Sequence, residues 1–375
     1  MESNEIGLVI PVQSGGRLIG QGVYGCVFSP PLKCVQRGRT SGKRGRLGKL
    51  TEIIDIKNEI QAAEVFEHVR KEASKYLILP ILNTLCKPLS MKLQKERDLI
   101  KCDALQKSGE EKMMHYELEH GGKTLADSLH ALNPIHKLPF WDLTRKFLEI
   151  GTFMVFHGFV HNDMHSSNVM VNPSFHPRLI DFGRSYTAQG ITKEVVDQLA
   201  AGSFMPELGQ ISPESSAQDG IELGQSMAKI YAEMRAKKPA ILTVERVLGV
   251  SREIQMAEFK RFCEHSRAFQ ARDWVTLWKL YWPTVDAWAI GHNIMRILSR
   301  LVLSKQFTES EGWKRRGGIV KTVLRGLLRT SPVERLDCVE ALAMYDPTND
   351  LIHTPTGKAW LEAKQKQREK LNRQG

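Results

Sequence analysis

The run His161-Asn162-Asp163-Met164-His165-Ser166-Ser167-Asn168, followed by Asp181-Phe182-Gly183, constrains this chain more than any other stretch. Its flanks read as defined elements. Upstream, Leu143, Phe147, Ile150 and Met154 recur at helical spacing, which predicts an amphipathic helix from about Trp141 to His157 that leads directly into Phe159-Val160-His161. Downstream, Asn168-Val169-Met170-Val171 and Arg178-Leu179-Ile180 read as two short strands joined by a turn around Asn172-Pro173. Such a hairpin brings Asn168 and Asp181 together, so polar residues distant in sequence meet at one place. A lone His-x-Asp is usually a surface turn. Here it sits between a helix and a hairpin that both point to one built site.

A second constraint lies near the N-terminus, in Gly20-Gln21-Gly22-Val23-Tyr24-Gly25. Glycine patterns of this kind also open the first helix of dinucleotide-binding folds. The flank separates the two cases, because Cys26-Val27-Phe28 resumes an apolar, strand-like run before Ser29-Pro30-Pro31. A strand, a glycine turn and a second strand are therefore predicted. Glycines at such a turn let backbone N–H groups approach a ligand without side-chain obstruction.

These three pieces, in this order, resemble the protein kinase superfamily. The resemblance implies an α+β, bilobal fold with a β-rich N-lobe over residues 1–119, a mainly helical C-lobe over 120–350 and a basic tail over 351–375. It implies transfer of the γ-phosphoryl of ATP, a reaction in which the protein mainly positions the phosphoryl and neutralises its charge. Asp181 would then chelate one Mg²⁺ ion and Asn168 would hold a second through its amide oxygen. Asp163 would accept or orient the proton of the attacking hydroxyl. Gly20, Gln21, Gly22, Val23, Tyr24, Gly25 and Val27 would cover the nucleotide.

The family also needs a lysine on the following strand, held by a glutamate of the next helix. Lys49, in Leu47-Gly48-Lys49-Leu50, is the first choice by position, with Lys43 and Lys57 also open. A helix from about Asp55 to Val69 places Ile56, Ile60, Ala63 and Phe66 on one face. Glu59 falls within that stripe and Glu64 on the opposite flank, which selects Glu59 as the partner. The segment from Lys112 to Gly122 resembles the last N-lobe strand running into the hinge, where Glu119 and His120 would offer main-chain hydrogen bonds to adenine. Glu119 also reads as an ordinary edge-strand charge.

Further on, Asp286-Ala287-Trp288-Ala289-Ile290-Gly291 resembles the start of the family's buried central helix, with Asp286 bracing the catalytic-loop backbone. Ile294, Met295, Leu298 and Leu301 continue its apolar face. Late in the chain, Ser331, Pro332 and Glu334 are spaced as a capping box, and Arg335 is expected to be a buried structural arginine. Its expected partner is Glu207 of Met205-Pro206-Glu207.

The chain departs from the family in three places. Residues 208–280 lengthen the C-lobe and read as an inserted helical subdomain: Asp219 with Glu222 is spaced to open one helix, and Ser251 with Glu253 another that carries Met256, Phe259 and Phe262. The insert suits partner docking or extra packing equally, and the activation segment has an alternative end near Trp282-Pro283. Asn162 replaces the usual arginine, which implies turnover without phosphorylation of Ser185, Tyr186, Thr187, Thr192 or Ser203. His165 replaces the usual lysine, as in small-molecule phosphotransferases resembling aminoglycoside kinases. A small-molecule phosphotransferase and a nucleotide-binding scaffold are therefore the alternatives to a serine/threonine protein kinase. Within the superfamily, Gly22 to Cys34, Leu47 to Leu50 and Glu119 to Lys123 are similar to serine/threonine kinases of large DNA viruses, which implies infected-cell cytoplasm or the virion.

At 375 residues, 42% hydrophobic and 25% charged, the chain suits a two-lobed protein with a sizeable core. No segment reads as a membrane span, and the Ile6–Val12 run is too short and lacks the basic leader of an export signal. Six cysteines without close metal-type pairs are expected to be reduced in a cytosolic setting. The net charge of +11 suits acidic protein substrates or nucleic-acid-rich surroundings, although no nucleic-acid motif is present. Part of the excess lies in the tail, where Lys358, Lys364, Lys366, Arg368, Lys370 and Arg373 suggest a solvated, frayed helix.

Overall fold

The computed structural model describes residues 16–22, 25–36, 45–94, 97–200 and 203–372. Val23, Tyr24, Lys43, Arg373 and the Ile6–Val12 run lie outside the described residues. The fold is mixed α+β, with antiparallel sheets near the N-terminus and a helical C-terminal part. Contacts divide the chain into one unit of Met1–His68 with Ile78–His120 and a second of Val69–Leu77 with Gly121–Gly375.

The first unit is built on a five-stranded antiparallel sheet. Its strands are β1 (Arg17–Gly22), β2 (Gly25–Ser29), β3 (Arg46–Glu52), β4 (Ile81–Cys86) and β5 (Met113–Glu119), in the order β1-β2-β3-β5-β4. Gly22 pairs with Gly25 across the predicted glycine turn. Phe28, Leu32, Leu50, Leu99, Leu105 and Met113 form the core against the sheet. The sequence Leu47-Gly48-Lys49-Leu50 has a steric cause: a Cβ at Gly48 would come within 2.2 Å of His115 Nε2. Only glycine lets that buried histidine pass.

Helix α1 (Ile56–Val65) follows Asp55, but it stops before Phe66 and gives way to a 3₁₀ turn at Glu67–Val69. The helix is therefore shorter than its periodicity predicts. Val69–Leu77 belongs to the second unit, where the Tyr76 ring lies 4.9 Å from that of Phe153.

The cysteine expectation is corrected by two disulfides in the first unit, Cys26–Cys102 and Cys34–Cys86. Cys263 and Cys338 are free and buried. The bridges span 76 and 52 residues, and pairing over such distances has no signature in spacing alone.

The second unit contains the predicted helix, observed at Phe140–Phe156 with Leu143, Phe147, Ile150 and Met154 all buried. The hairpin Val169–Val171 with Pro177–Leu179 follows, extended by Lys123–Thr124 into three strands. The central helix is longer than predicted. It starts at Trp274, capped by the Asp273 carboxylate, and runs to Leu301 across Pro283.

Residues 208–280 fold as helices at Pro213–Glu222, Met227–Lys237, Pro239–Leu248, Arg252–His265 and Arg267–Gln270. Ser251 caps its helix as read, accepting the Ile254 N–H. Asp219 does not open one: its helix starts earlier, at Pro213 after Ser212, and leaves Asp219 near the C-terminal end. The insert packs into a core shared with the central helix. Ile230, Met234, Phe259, Phe262 and Phe269 join Trp274 and Trp278 there, and Gln218 Oε1 accepts the Trp278 indole N–H at 2.7 Å.

Two C-terminal expectations are corrected. Ser331–Glu334 closes a turn, not a helix, because the chain must extend to bury Arg335; the capping box forms instead at Asp337 with Glu340, opening Cys338–Tyr345. The basic tail forms the helix Pro355–Asn372 and docks on that cap. Trp360 Nε1 and Lys364 Nζ reach Asp337 at 2.9 and 3.1 Å, and Arg368 Nε reaches Glu340 at 2.6 Å. Among the described residues no helix is long and apolar enough to cross a membrane.

Candidate functional site

In the first unit, β3 carries Lys49 between Val27 of β2 and Tyr116 of β5. The Lys49 ammonium donates to Glu59 Oε1, and both residues are buried. Burying one charge without the other would be strongly unfavourable, so each fixes its partner. Glu64 is exposed and Lys57 is exposed. The structure thus brings together Lys49 and Glu59 among the alternatives open in the sequence.

Gly20, Gln21 and Gly22 lie on β1 and Gly25 and Val27 on β2. At the end of β5, Glu119 pairs with Arg46 across the sheet at 3.7 Å and is half exposed. The His120 N–H is donated to the Gly45 carbonyl at 3.1 Å. That N–H is satisfied within the fold.

In the second unit, Phe159–Val160 pairs with Tyr186–Thr187 and delivers the chain into the His161–Asn168 loop. The buried Asp286 carboxylate accepts the N–H groups of His161 at 2.7 Å and Asn162 at 3.0 Å. Two donors on one carboxylate hold Asn162 at φ +61°, a left-handed conformation that asparagine tolerates better than most residues. Burial pushes the Asp286 pKa up, against the lowering pull of His161 and the two N–H bonds.

Asp163 follows directly. Its N–H donates to His161 Nδ1 at 3.3 Å, and the other ring nitrogen, Nε2, bonds the Ile180 carbonyl at 2.9 Å. The ring is therefore the Nε2–H tautomer, and it ties the loop to the residue before Asp181. Phe182 packs on this ring with centroids 5.2 Å apart. Asn168 closes the same link: its Nδ2 donates to the Asp163 carbonyl at 3.0 Å, while its carbonyl accepts the Ile180 N–H at 3.0 Å. Asp181 stands in the left-handed region at φ +65°. The hairpin thus brings Asn168 and the Asp181 segment together, as its pattern predicts.

The donor set suits a hard cation. With Nδ2 turned to Asp163, Asn168 presents Oδ1 on its other side, and Asp181 adds a carboxylate. His165 accepts the Ser167 N–H on Nδ1 at 3.2 Å, which puts its proton on Nε2, 3.7 Å from Asp163 Oδ2.

Three residues at this site were not singled out by the sequence. Gln210 donates from Nε2 to Asp163 Oδ1 at 3.2 Å. It is held there by Gly209, whose carbonyl accepts the Trp288 indole N–H at 2.9 Å and whose Cβ, if present, would lie 2.2 Å from His292 Nε2. Asn293 donates to the Met164 carbonyl at 2.7 Å. Glu214 replaces Glu207 as the partner of Arg335. Its two oxygens take the guanidinium at 2.7 and 2.8 Å, whereas Glu207 is exposed and 3.5 Å from Lys237. A signal existed: Ser212-Pro213-Glu214 places proline at the first helical position and the glutamate in the first turn.

No protein-family model matches the chain, and no curated protein does either.

Proposed function

We propose that the chain is an ATP-dependent serine/threonine protein kinase, of the kind found in large DNA viruses. The observation that carries this reading is the pinned His161–Asn168 loop, in which Asp163 and Asn168 touch and His161 links them to Ile180, the residue before Asp181. Asp163 accepts the proton of the attacking hydroxyl, with Gln210 and His165 orienting its carboxylate. General bases of this type contribute about 10²- to 10⁴-fold. Asn168 and Asp181 would hold Mg²⁺, which would supply charge neutralisation at the phosphate oxygens. Lys49, fixed by Glu59, neutralises phosphate charge, and the glycines of the Gly20–Gly25 sequence would let backbone N–H groups approach phosphates without side-chain obstruction.

Protein substrates are favoured over small molecules because the Asp286 brace and the Glu214–Arg335 pair recur in the protein-directed branch that the sequence resembles. Asn162 offers no guanidinium to a phosphorylated activation loop, so turnover does not require one. The disulfides fit an oxidising setting better than a reducing cytoplasm. The test is transfer of labelled γ-phosphate from Mg·ATP, followed by phosphoamino-acid analysis of the products. Label on protein serine and threonine supports the reading. ATP consumption with label only on added metabolites replaces it with a small-molecule phosphotransferase, and nucleotide binding without consumption replaces it with a scaffold.

A further inference from the structure

Beside the His161–Asn168 loop, the second unit holds a cavity of about 260 Å³. Its walls come from the helix Leu125–Ala131, from Ser166 and from the last turns of the central helix. The lining carries two guanidiniums, Arg296 and Arg300, with the His130 ring, Ser166 and Asn293, and no carboxylate lines it. Arg296 and Arg300 stand one turn apart on the same helix, a spacing at which like charges destabilise each other.

Neither guanidinium has a carboxylate partner among the described residues. Arg296 donates to Ser166 Oγ at 3.1 Å and Arg300 to the Leu129 carbonyl at 3.2 Å, one N–H each of the five that a guanidinium carries. Elsewhere the protein resolves such charges, as at Arg145, which lies between Asp142 and Glu149. Two exposed, unneutralised guanidiniums beside one cavity suit the bidentate recognition of a carboxylate or phosphate.

Its place relative to Asp163 says whose acid it takes. Ser166 follows Asp163 by three residues, so their Cα atoms are at most about 11 Å apart. An extended peptide covers that distance in three or four residues. We propose that this cavity selects the substrate, binding an acidic or phosphorylated side chain within about four residues of the hydroxyl presented to Asp163. The proposal rests on the phosphotransfer reading of Asp163.

The test uses the full chain and two double variants, Arg296→Gln with Arg300→Gln and Arg296→Glu with Arg300→Glu. Each is first checked for a native melting curve. Fluorescent serine peptides carrying glutamate at the flanking positions, or lysine there instead, are titrated by anisotropy and then offered with Mg·ATP. The wild type is expected to bind the glutamate peptide at least about tenfold more tightly. The glutamine variant is expected to lose this preference, and the glutamate variant to prefer lysine. Equal affinity of the wild type for both peptides overturns the proposal, as does a preference unchanged in folded variants. Inorganic phosphate binding as tightly as the glutamate peptide would assign the cavity to a free anion and also overturn it. Arginine-dependent binding without phosphoryl transfer to any peptide supports the acid-binding cavity while rejecting the kinase reading.

Discussion

Arg335 and Glu214 meet fork to fork, Nη1 to Oε1 at 2.7 Å and Nη2 to Oε2 at 2.8 Å, with both side chains almost wholly removed from water. The guanidinium also donates to the carbonyls of Arg329, Thr284 and Thr330 and lies 5.1 Å from the Trp288 ring. Removing it strips the buried carboxylate of its direct ion-pair partner. Arg335→Ala is therefore expected to destabilise the protein by roughly 3 to 5 kcal/mol. Glu207→Ala, at an exposed pair, is expected to change stability by less than about 0.5 kcal/mol. Urea unfolding of the two variants beside wild type checks both values, and equal midpoints for them would remove the pair from the account.

This pair also shows where the sequence is legible and where it is not. The helix before His161, the hairpin after Asn168 and the Ser251 cap are encoded within a few residues, and the structure contains each of them. The choice between Glu207 and Glu214 depends on which one reaches an arginine more than a hundred residues away; Ser212-Pro213-Glu214 marks a helix start, but that local pattern does not by itself name the partner of Arg335. Ser331 has the spacing of a capping box, yet burial of Arg335 overrides it. Gln210 reaches Asp163 across 47 residues, held there by the Trp288 bond to the Gly209 carbonyl and by the crowding around Gly209. Lys49 and Glu59 fall between these cases, because helix periodicity narrows the glutamate while the lysine is fixed only by pairing.

Gln210 acts on Asp163 through one hydrogen bond at the rim of the site. Gln210→Ala is expected to lower kcat by about tenfold, the equivalent of one bond to a charged group, while leaving the melting temperature near wild type. Gly209→Ala forces a methyl group against the buried His292 and is expected to cost about 1 to 3 kcal/mol as well as activity. Steady-state kinetics with parallel melting curves separates the two; a Gln210→Ala enzyme of unchanged kcat would show that the contact is incidental.

Lys238 is fully buried, donating to Ser216 Oγ at 2.9 Å, and burial pulls its pKa down to about 7, against the raising effect of Glu214. Its folded pKa lies below the unfolded one, so the unfolded chain binds more protons between the two values. Stability from this group therefore rises with pH above 7 and is lost as pH falls back toward 7. The expected gain from pH 7 to 9 is about 2 kcal/mol. Lys238→Met should flatten that slope in denaturation curves at constant ionic strength, and a slope unchanged by the substitution would contradict the assignment.

The two disulfides close loops of 76 and 52 residues within the first unit, which corresponds to about 4 kcal/mol each in the loop-entropy picture. Thiol labelling of the denatured, unreduced protein is expected to find two free cysteines, Cys263 and Cys338, and six after reduction. Reductant should also lower the unfolding midpoint. Six thiols before reduction would mean that the bridges do not form.

The most direct test of the central claim is γ-phosphate transfer from Mg·ATP to protein serine and threonine by the wild type and by Asp163→Asn. The account predicts transfer by the wild type that falls by at least about 10²-fold in the variant, with folding and nucleotide affinity retained. Equal transfer by both proteins would contradict the role of Asp163, and no transfer by a folded, ATP-binding wild type would contradict the kinase reading itself.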